Sequence, residues 1–260
     1  MNWTYTLSGL LVGLIVGITG VGGGSLMTPL LVLLFGVSPA TAVGTDLLFA
    51  SLTKTLGGWV NGRRGMVEWK VAGLLSLGSL PAAVITLVLL KYLALDKNTL
   101  GSLVTGMLSV ALLLTAAALL FRSRIKQFAQ RNDGTVCGLH RRYLSAATVV
   151  TGIVVGTLVT LSSVGAGVLG TVALMFLYPR MPPAKVVGTD IVHAVPLTAV
   201  AGLGHLALGT VDLVLLGSLL MGSWPGIYIG SHLSARMPEK VLRPVLVTML
   251  LAIGCRMVFV

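Results

Sequence analysis

Charge is what this sequence has least of. Charged residues make up 10% of 260, and only 7 are acidic against 18 basic, for a net charge of +11. Soluble domains carry roughly 25% charged residues, so this chain has too few to cover a globular surface. That excludes a soluble enzyme, a disordered chain and a nucleic-acid binder, the basic balance notwithstanding. Aromatics are also scarce, at 6%. The two cysteines, Cys137 and Cys255, fall in a polar loop and in the last apolar run. They provide neither a disulfide framework nor a thiolate metal site, and no histidine spacing resembles a zinc site. No cofactor or metal is expected. What the chain does have is 55% hydrophobic residues, 33 glycines and a mean hydropathy of +0.99. This is the composition of a polytopic membrane protein whose helices pack on small residues.

A membrane β-barrel needs alternating segments of about ten residues, whereas these apolar runs are long and unbroken, which points to an all-α fold. Breakers and charges mark ten segments, roughly 3–20, 25–36, 39–61, 67–92, 99–121, 143–162, 167–179, 183–205, 211–234 and 241–260. No basic residue precedes the first run between Met1 and Leu11, so a cleaved signal is not expected and the first helix is retained. A basic stretch from Arg122 to Arg142 divides five segments from five. Residues 1–121 are read as a first transmembrane repeat, 122–142 as a cytoplasmic linker and 143–260 as a second repeat.

The halves repeat in sequence. Pro39-Ala40-x-x-Val43-Gly44-Thr45-Asp46 recurs as Pro183-Ala184-x-x-Val187-Gly188-Thr189-Asp190, an offset of 144. The same offset carries Asn61 onto His205, Gly65 onto Gly209, Val67-Glu68 onto Val211-Asp212 and Gly78-Ser79-x-Pro81 onto Gly222-Ser223-x-Pro225. Val21-Gly22-Gly23-Gly24 maps onto Val164-Gly165-Ala166-Gly167 with a shift of one residue. With the middle stretch in the cytoplasm and five crossings per half, 14 of the 18 basic residues fall inside, in accord with the positive-inside rule. Both termini then face outward. Five is odd, so the second half is inverted, and the expected architecture is two inverted-topology repeats of about five helical segments each. Segment 25–36 contains Pro29 and reaches only about 18 Å against a hydrocarbon core of about 30 Å. Short or broken helices at matching glycine-rich motifs are the best sequence pointer to a transport site. If they are re-entrant, eight full spans remain.

The run Gly20-Val21-Gly22-Gly23-Gly24-Ser25, followed by a helix, exposes N–H groups at a positive helix end, which suits an anion. A hinge or packing cluster is the other reading. Gly165 and Gly167, with Ser162 and Ser163 beside them, form the partner site. Neither a Walker loop nor a dinucleotide fingerprint fits. Asp46 and Asp190 lie about 10 Å into their helices. Intramembrane carboxylates cost about 2.5–3.5 kcal/mol on insertion scales and are functional by default. They either carry a proton or orient Thr45, Thr189 and nearby amides; a helix-capping acid near the interface is the alternative. His193 shares a face with Asp190 and is able to take a proton near neutral pH; a neutral core histidine is the alternative. His205 is expected at the interface. Lys54 either meets an anion, pairs with an acid, or snorkels to the cytoplasmic face. Gly9-x3-Gly13-x3-Gly17 and Gly152-x3-Gly156 read as helix-packing seams.

The glycine run with Ser25 and a proline four positions on, together with the twice-occurring Pro-Ala-x-x-Val-Gly-Thr-Asp, resembles the TauE/SafE sulfite exporter family over nearly the whole chain. The resemblance implies transport of small sulfur-containing anions such as sulfite, sulfoacetate or thiosulfate, or related organosulfonates, across a prokaryotic inner membrane. It also implies about eight spans. The second half departs from the glycine pattern at Ala166, so unequal half-sites are expected. The resulting expectation is a secondary anion transporter, possible proton coupling included, working by alternating access. Gly22, Gly23, Gly24, Ser25, Thr45, Ser162, Ser163, Gly165, Gly167 and Thr189 are its candidate substrate ligands. Asp46, Asp190, His193 and Lys54 are its candidate coupling or supporting groups. The alternative is a passive anion channel. An intramembrane serine enzyme is not expected, because the sequence places no base beside Ser25 or Ser162. The partners are the anion, the bilayer and a coupling proton; oligomeric state is not legible.

Overall fold

The computed structural model describes residues 3–19, 24–93, 97–132, 137–234, 247, 248 and 250–255. Among these residues the fold is all-helical: α1 (Trp3–Thr19), α2 (Gly24–Phe35), α3 (Pro39–Arg63), α4 (Trp69–Tyr92), α5 (Lys97–Asn132), α6 (Cys137–Ser162), α7 (Val168–Leu177), α8 (Pro183–Ala207) and α9 (Leu213–Ser234). Residues 250–255 form a further helical piece. Among the described residues, five stretches are long and apolar enough to cross a membrane: Trp69–Tyr92, Thr99–Arg122, Tyr143–Ser162, Pro183–Ala207 and Leu213–Gly230. The helices α2 and α7 have 12 and 10 residues, too few to cross about 30 Å of hydrocarbon at 1.5 Å per residue.

Local chemistry sets the helix ends. Ser38 caps α3 by accepting the Thr41 N–H, and Pro39 supplies the first-turn residue that needs no N–H donor. At the far end Gly65 takes φ 66°, and Met66 N–H bonds the Asn61 carbonyl at 3.0 Å. The equivalent end of α8 repeats this, with Gly209 at φ 73° and Thr210 N–H on the His205 carbonyl at 3.0 Å. Both are left-handed C-terminal turns, which glycine adopts without strain. The basic stretch after Arg122 is not a loop at its start: α5 continues through it to Asn132, and α6 begins at Cys137. Residues 122–132 contain no glycine or proline, so nothing in them stops the helix.

Packing between the halves is reciprocal. A Cβ on Gly9 or Gly13 of α1 would enter the backbone of Leu219 and Ser223 in α9. A Cβ on Gly152 or Gly156 of α6 would enter the backbone of Leu75 and Ser79 in α4. The glycine seams of α1 and α6 thus each seat a helix of the opposite half, with the backbones in direct contact. Gly44 meets the Thr210 carbonyl as Gly188 meets the Met66 carbonyl. The helices α3 and α8 lie against one another, Gly58 against Val192 and Val195, Gly202 against Leu48. Low numbers on one helix meet high numbers on the other, so these repeat-related helices run antiparallel. The start of α4, the end of α7 and the start of α8 share one apolar cluster containing Val71, Leu75, Leu174, Met175 and Val186.

Candidate functional site

The chain breaks between α6 and α7, and side chains from both halves converge there. Ser162 ends α6: its hydroxyl donates to the Leu158 carbonyl at 2.6 Å and accepts the Val164 N–H at 3.2 Å. Ser163 then adopts φ 57°, the left-handed region that non-glycine residues avoid, and Gly165 and Gly167 follow at φ 114° and 142°. The helix α7 restarts at once. Its Gly170 and Thr171 N–H groups bond the Gly165 and Gly167 carbonyls, both at 3.3 Å. Its Val168 and Leu169 N–H groups have no bond among the described residues, as expected of a first helical turn.

Lys54 reaches this break from α3. It is 8% exposed, and its ammonium donates to the Ala166 carbonyl. A lysine buried against that carbonyl does not snorkel to the cytoplasmic face. Its charge acts on Asp46, Asp190 and His193 together. Asp46 is fully buried; one carboxylate oxygen accepts the Thr28 hydroxyl and the other has no partner. The Ser163 hydroxyl also neighbours Asp46, yet no hydrogen bond closes between them. Asp190 is fully buried with both oxygens unpartnered, and one faces Gly170, where any Cβ would collide with it. His193 is held by Ser79 of α4 through Nε2 at 2.8 Å, and its Nδ1 is unpartnered.

Among the described residues, five buried side-chain polar atoms lack a hydrogen-bond partner: Asp46 Oδ1, Ser163 Oγ, Asp190 Oδ1 and Oδ2, and His193 Nδ1. More than about nine in ten buried polar groups in proteins are satisfied. Here the exceptions fall on four residues, three of which are charge neighbours of a single lysine. All four are among the candidates raised by the sequence.

Other candidates lie elsewhere or are engaged. The Thr189 hydroxyl accepts the Glu68 N–H at 2.9 Å, and the Thr45 hydroxyl accepts the Asp212 N–H at 3.1 Å. This symmetric pair of bonds ties each half to the loop of the other. The Ser162 hydroxyl is occupied by its own helix end. Gly22 and Gly23 lie outside the described residues, and Gly24 and Ser25 are the first two residues of α2. His205 is buried in the last turn of α8, with Nε2 on the Thr160 carbonyl and Nδ1 at the Thr210 hydroxyl, both at 2.9 Å. Sequence reasoning missed Thr28, Ser79 and Gly170. The repeat register contained a signal for two of them, since Thr28 aligns with Thr171 and Ser79 with Ser223. Gly170 aligns with Met27 and carries no such mark.

Comparison with known proteins places these residues in a family context. The family model described as Sulfite exporter TauE/SafE matches residues 5–257. The chain is 35% identical over 258 residues to the probable membrane transporter protein YjnA of Bacillus subtilis (strain 168), covering 99% of this chain and 100% of that protein. It is 30% identical over 237 residues to the probable membrane transporter protein YdhB of the same organism, covering 90% of each. A probable membrane transporter protein of Xylella fastidiosa (strain 9a5c) is 27% identical over 235 residues, covering 88% of this chain and 83% of that protein. No solved structure matches the chain.

Proposed function

Because the chain belongs to the TauE/SafE sulfite exporter family of membrane transporters, we propose that it is a secondary transporter of small sulfur-containing anions. Sulfite, sulfoacetate, thiosulfate and related organosulfonates are the substrate class, and the cytoplasmic membrane is the location. The observation that carries this reading is the buried Lys54 ammonium at the chain break, with the unpartnered Ser163 hydroxyl and His193 Nδ1 in the same site. A buried ammonium, a hydroxyl, an imidazole nitrogen and the free start of α7 are the donors that replace water around oxyanion oxygens. No ATP-binding motif occurs in the sequence, so ion or substrate gradients would drive transport.

The two halves act as inverted repeats in this reading. Support comes from their reciprocal contacts and from the antiparallel packing of α3 on α8, which suits rocking of one half against the other. Arg63, Arg64, Lys70, Arg180 and Lys185 border the loops at the shared end of α4, α7 and α8. By the positive-inside rule that end is cytoplasmic, and the termini then lie outside. A carrier is favoured over a passive anion channel because Asp46, Lys54, Ser163, Asp190 and His193 are all buried. A site closed to water is what a carrier holds between its two open states.

Counterflow in proteoliposomes tests the reading. Preloading with unlabelled sulfite, sulfoacetate or thiosulfate is expected to accelerate entry of the labelled anion. Ohmic single-channel current without such acceleration would replace the carrier by a pore.

A further inference from the structure

Two buried carboxylates face one buried ammonium in this site, and their surroundings differ. Asp46 has a hydroxyl donor in Thr28. Asp190 has none among the described residues. From α3, Lys54 is the charge that acts on Asp190, and it acts on Asp46 as well. From its own helix, His193 stands one turn away, held by Ser79 of α4. The helix α7 sets Gly170 against Asp190, and the break after α6 contributes the uncharged Ser163 beside Asp46.

Resting on the transporter reading above, we propose that the unpartnered Asp190 carboxylate takes up one proton as the transported anion enters, and that the Lys54 ammonium then leaves the Ala166 carbonyl for the anion. Charge balance motivates the exchange. With both carboxylates ionised the empty site is net negative, and an incoming anion adds to that charge in a region that disfavours any uncompensated charge. When Asp190 takes up one proton, its carboxylate becomes a neutral carboxylic acid, and the anion meets the Lys54 ammonium in its place as the second negative charge of the site. The net charge of the site is then the same with and without a monovalent anion. Asp46 stays ionised, because a hydroxyl donating to a carboxylate suits the charged form. One proton therefore moves with each anion, in the same direction. A monoanion such as methanesulfonate crosses without net charge, and a dianion such as thiosulfate carries one negative charge across.

The test uses the full chain in proteoliposomes with a pH-sensitive dye inside, probed with sulfite, sulfoacetate, thiosulfate and methanesulfonate. Counterflow at equal pH and accumulation under an inwardly directed proton gradient are read in parallel. In the wild type the gradient is expected to raise accumulation at least tenfold, with one proton entering per anion. Asp190→Asn is expected to abolish gradient-driven accumulation while counterflow persists at a tenth of the wild-type rate or more. Asp46→Asn is expected to slow counterflow while leaving the residual flux gradient-driven. Gradient-driven accumulation by a monodisperse Asp190→Asn protein would overturn the proposal, as would loss of its counterflow, which would make Asp190 a binding group. A wild type that counterflows but ignores the gradient overturns the proton step and leaves the transporter reading standing. A wild type that moves none of the four probes overturns both.

Discussion

The two halves share a fold and differ in chemistry. In the first half Thr28 donates to Asp46. In the second, the aligned Thr171 bonds the Gly167 and Val168 carbonyls of its own helix, and the aligned Asp190 is left without a donor. Where the first half has the buried Met27, the second has Gly170, and the freed space holds the Asp190 carboxylate. Lys54 aligns with Thr198 and His193 with Phe49. The positions that are identical in both halves mostly hold the fold together: Gly44 and Gly188 at the loop backbones, Gly65 and Gly209 at the turns, Thr45 and Thr189 in the crossed hydrogen bonds. In the site Asp46 and Asp190 are alike, whereas Lys54, His193 and Gly170 align with unlike residues. The two halves are alike where helices touch and unlike around Lys54 and Asp190.

Paired substitutions break or sharpen that contrast. The largest effect is expected for Lys54→Met set against Thr198→Val. The first leaves two buried carboxylates without their cation, an imbalance of about 3–5 kcal/mol, and should lower anion flux at least about 100-fold. The second removes a hydroxyl bonded to its own helix and should stay within about threefold of wild type. Comparable losses from both would show that the asymmetry does not govern transport. Next comes the seam pair Gly13→Leu and Gly156→Leu, where each side chain enters backbone of the opposite half. Overpacking of this kind costs about 1–3 kcal/mol or more, and here the halves should respond alike. Thermal unfolding in detergent should fall by similar amounts; a large difference would argue against equivalent seams. The smallest effect separates Thr28→Val from Thr171→Val. Loss of one hydrogen bond to a charged group is worth about 1.5–3 kcal/mol, so Thr28→Val should reduce flux roughly tenfold or more and Thr171→Val by less than twofold.

Much of this was readable in the sequence. Hydropathy located the helices, the prolines at 39 and 183 marked two helix starts, and the small-residue spacing in α1 and α6 marked the contacts. Intramembrane ionisable residues are rare enough that Asp46, Asp190, His193 and Lys54 stood out by burial cost alone. What stayed hidden depended on partners distant in the chain. Nothing local shows that the hydroxyls of Thr45 and Thr189 are used by loops of the opposite half. Nothing local shows which way Lys54 extends, or that Gly170 is small because a carboxylate lies against it. Thr28 and Ser79 look like ordinary helix residues until the helices are brought together.

In the transporter reading proposed above, the anion sits against the Lys54 ammonium. Selenite, a heavier analogue of sulfite, locates it directly: crystals grown with selenite and measured at the selenium edge should show an anomalous peak within hydrogen-bonding distance of Lys54 Nζ. A peak elsewhere, with Lys54 still bonded to the Ala166 carbonyl, would contradict the account.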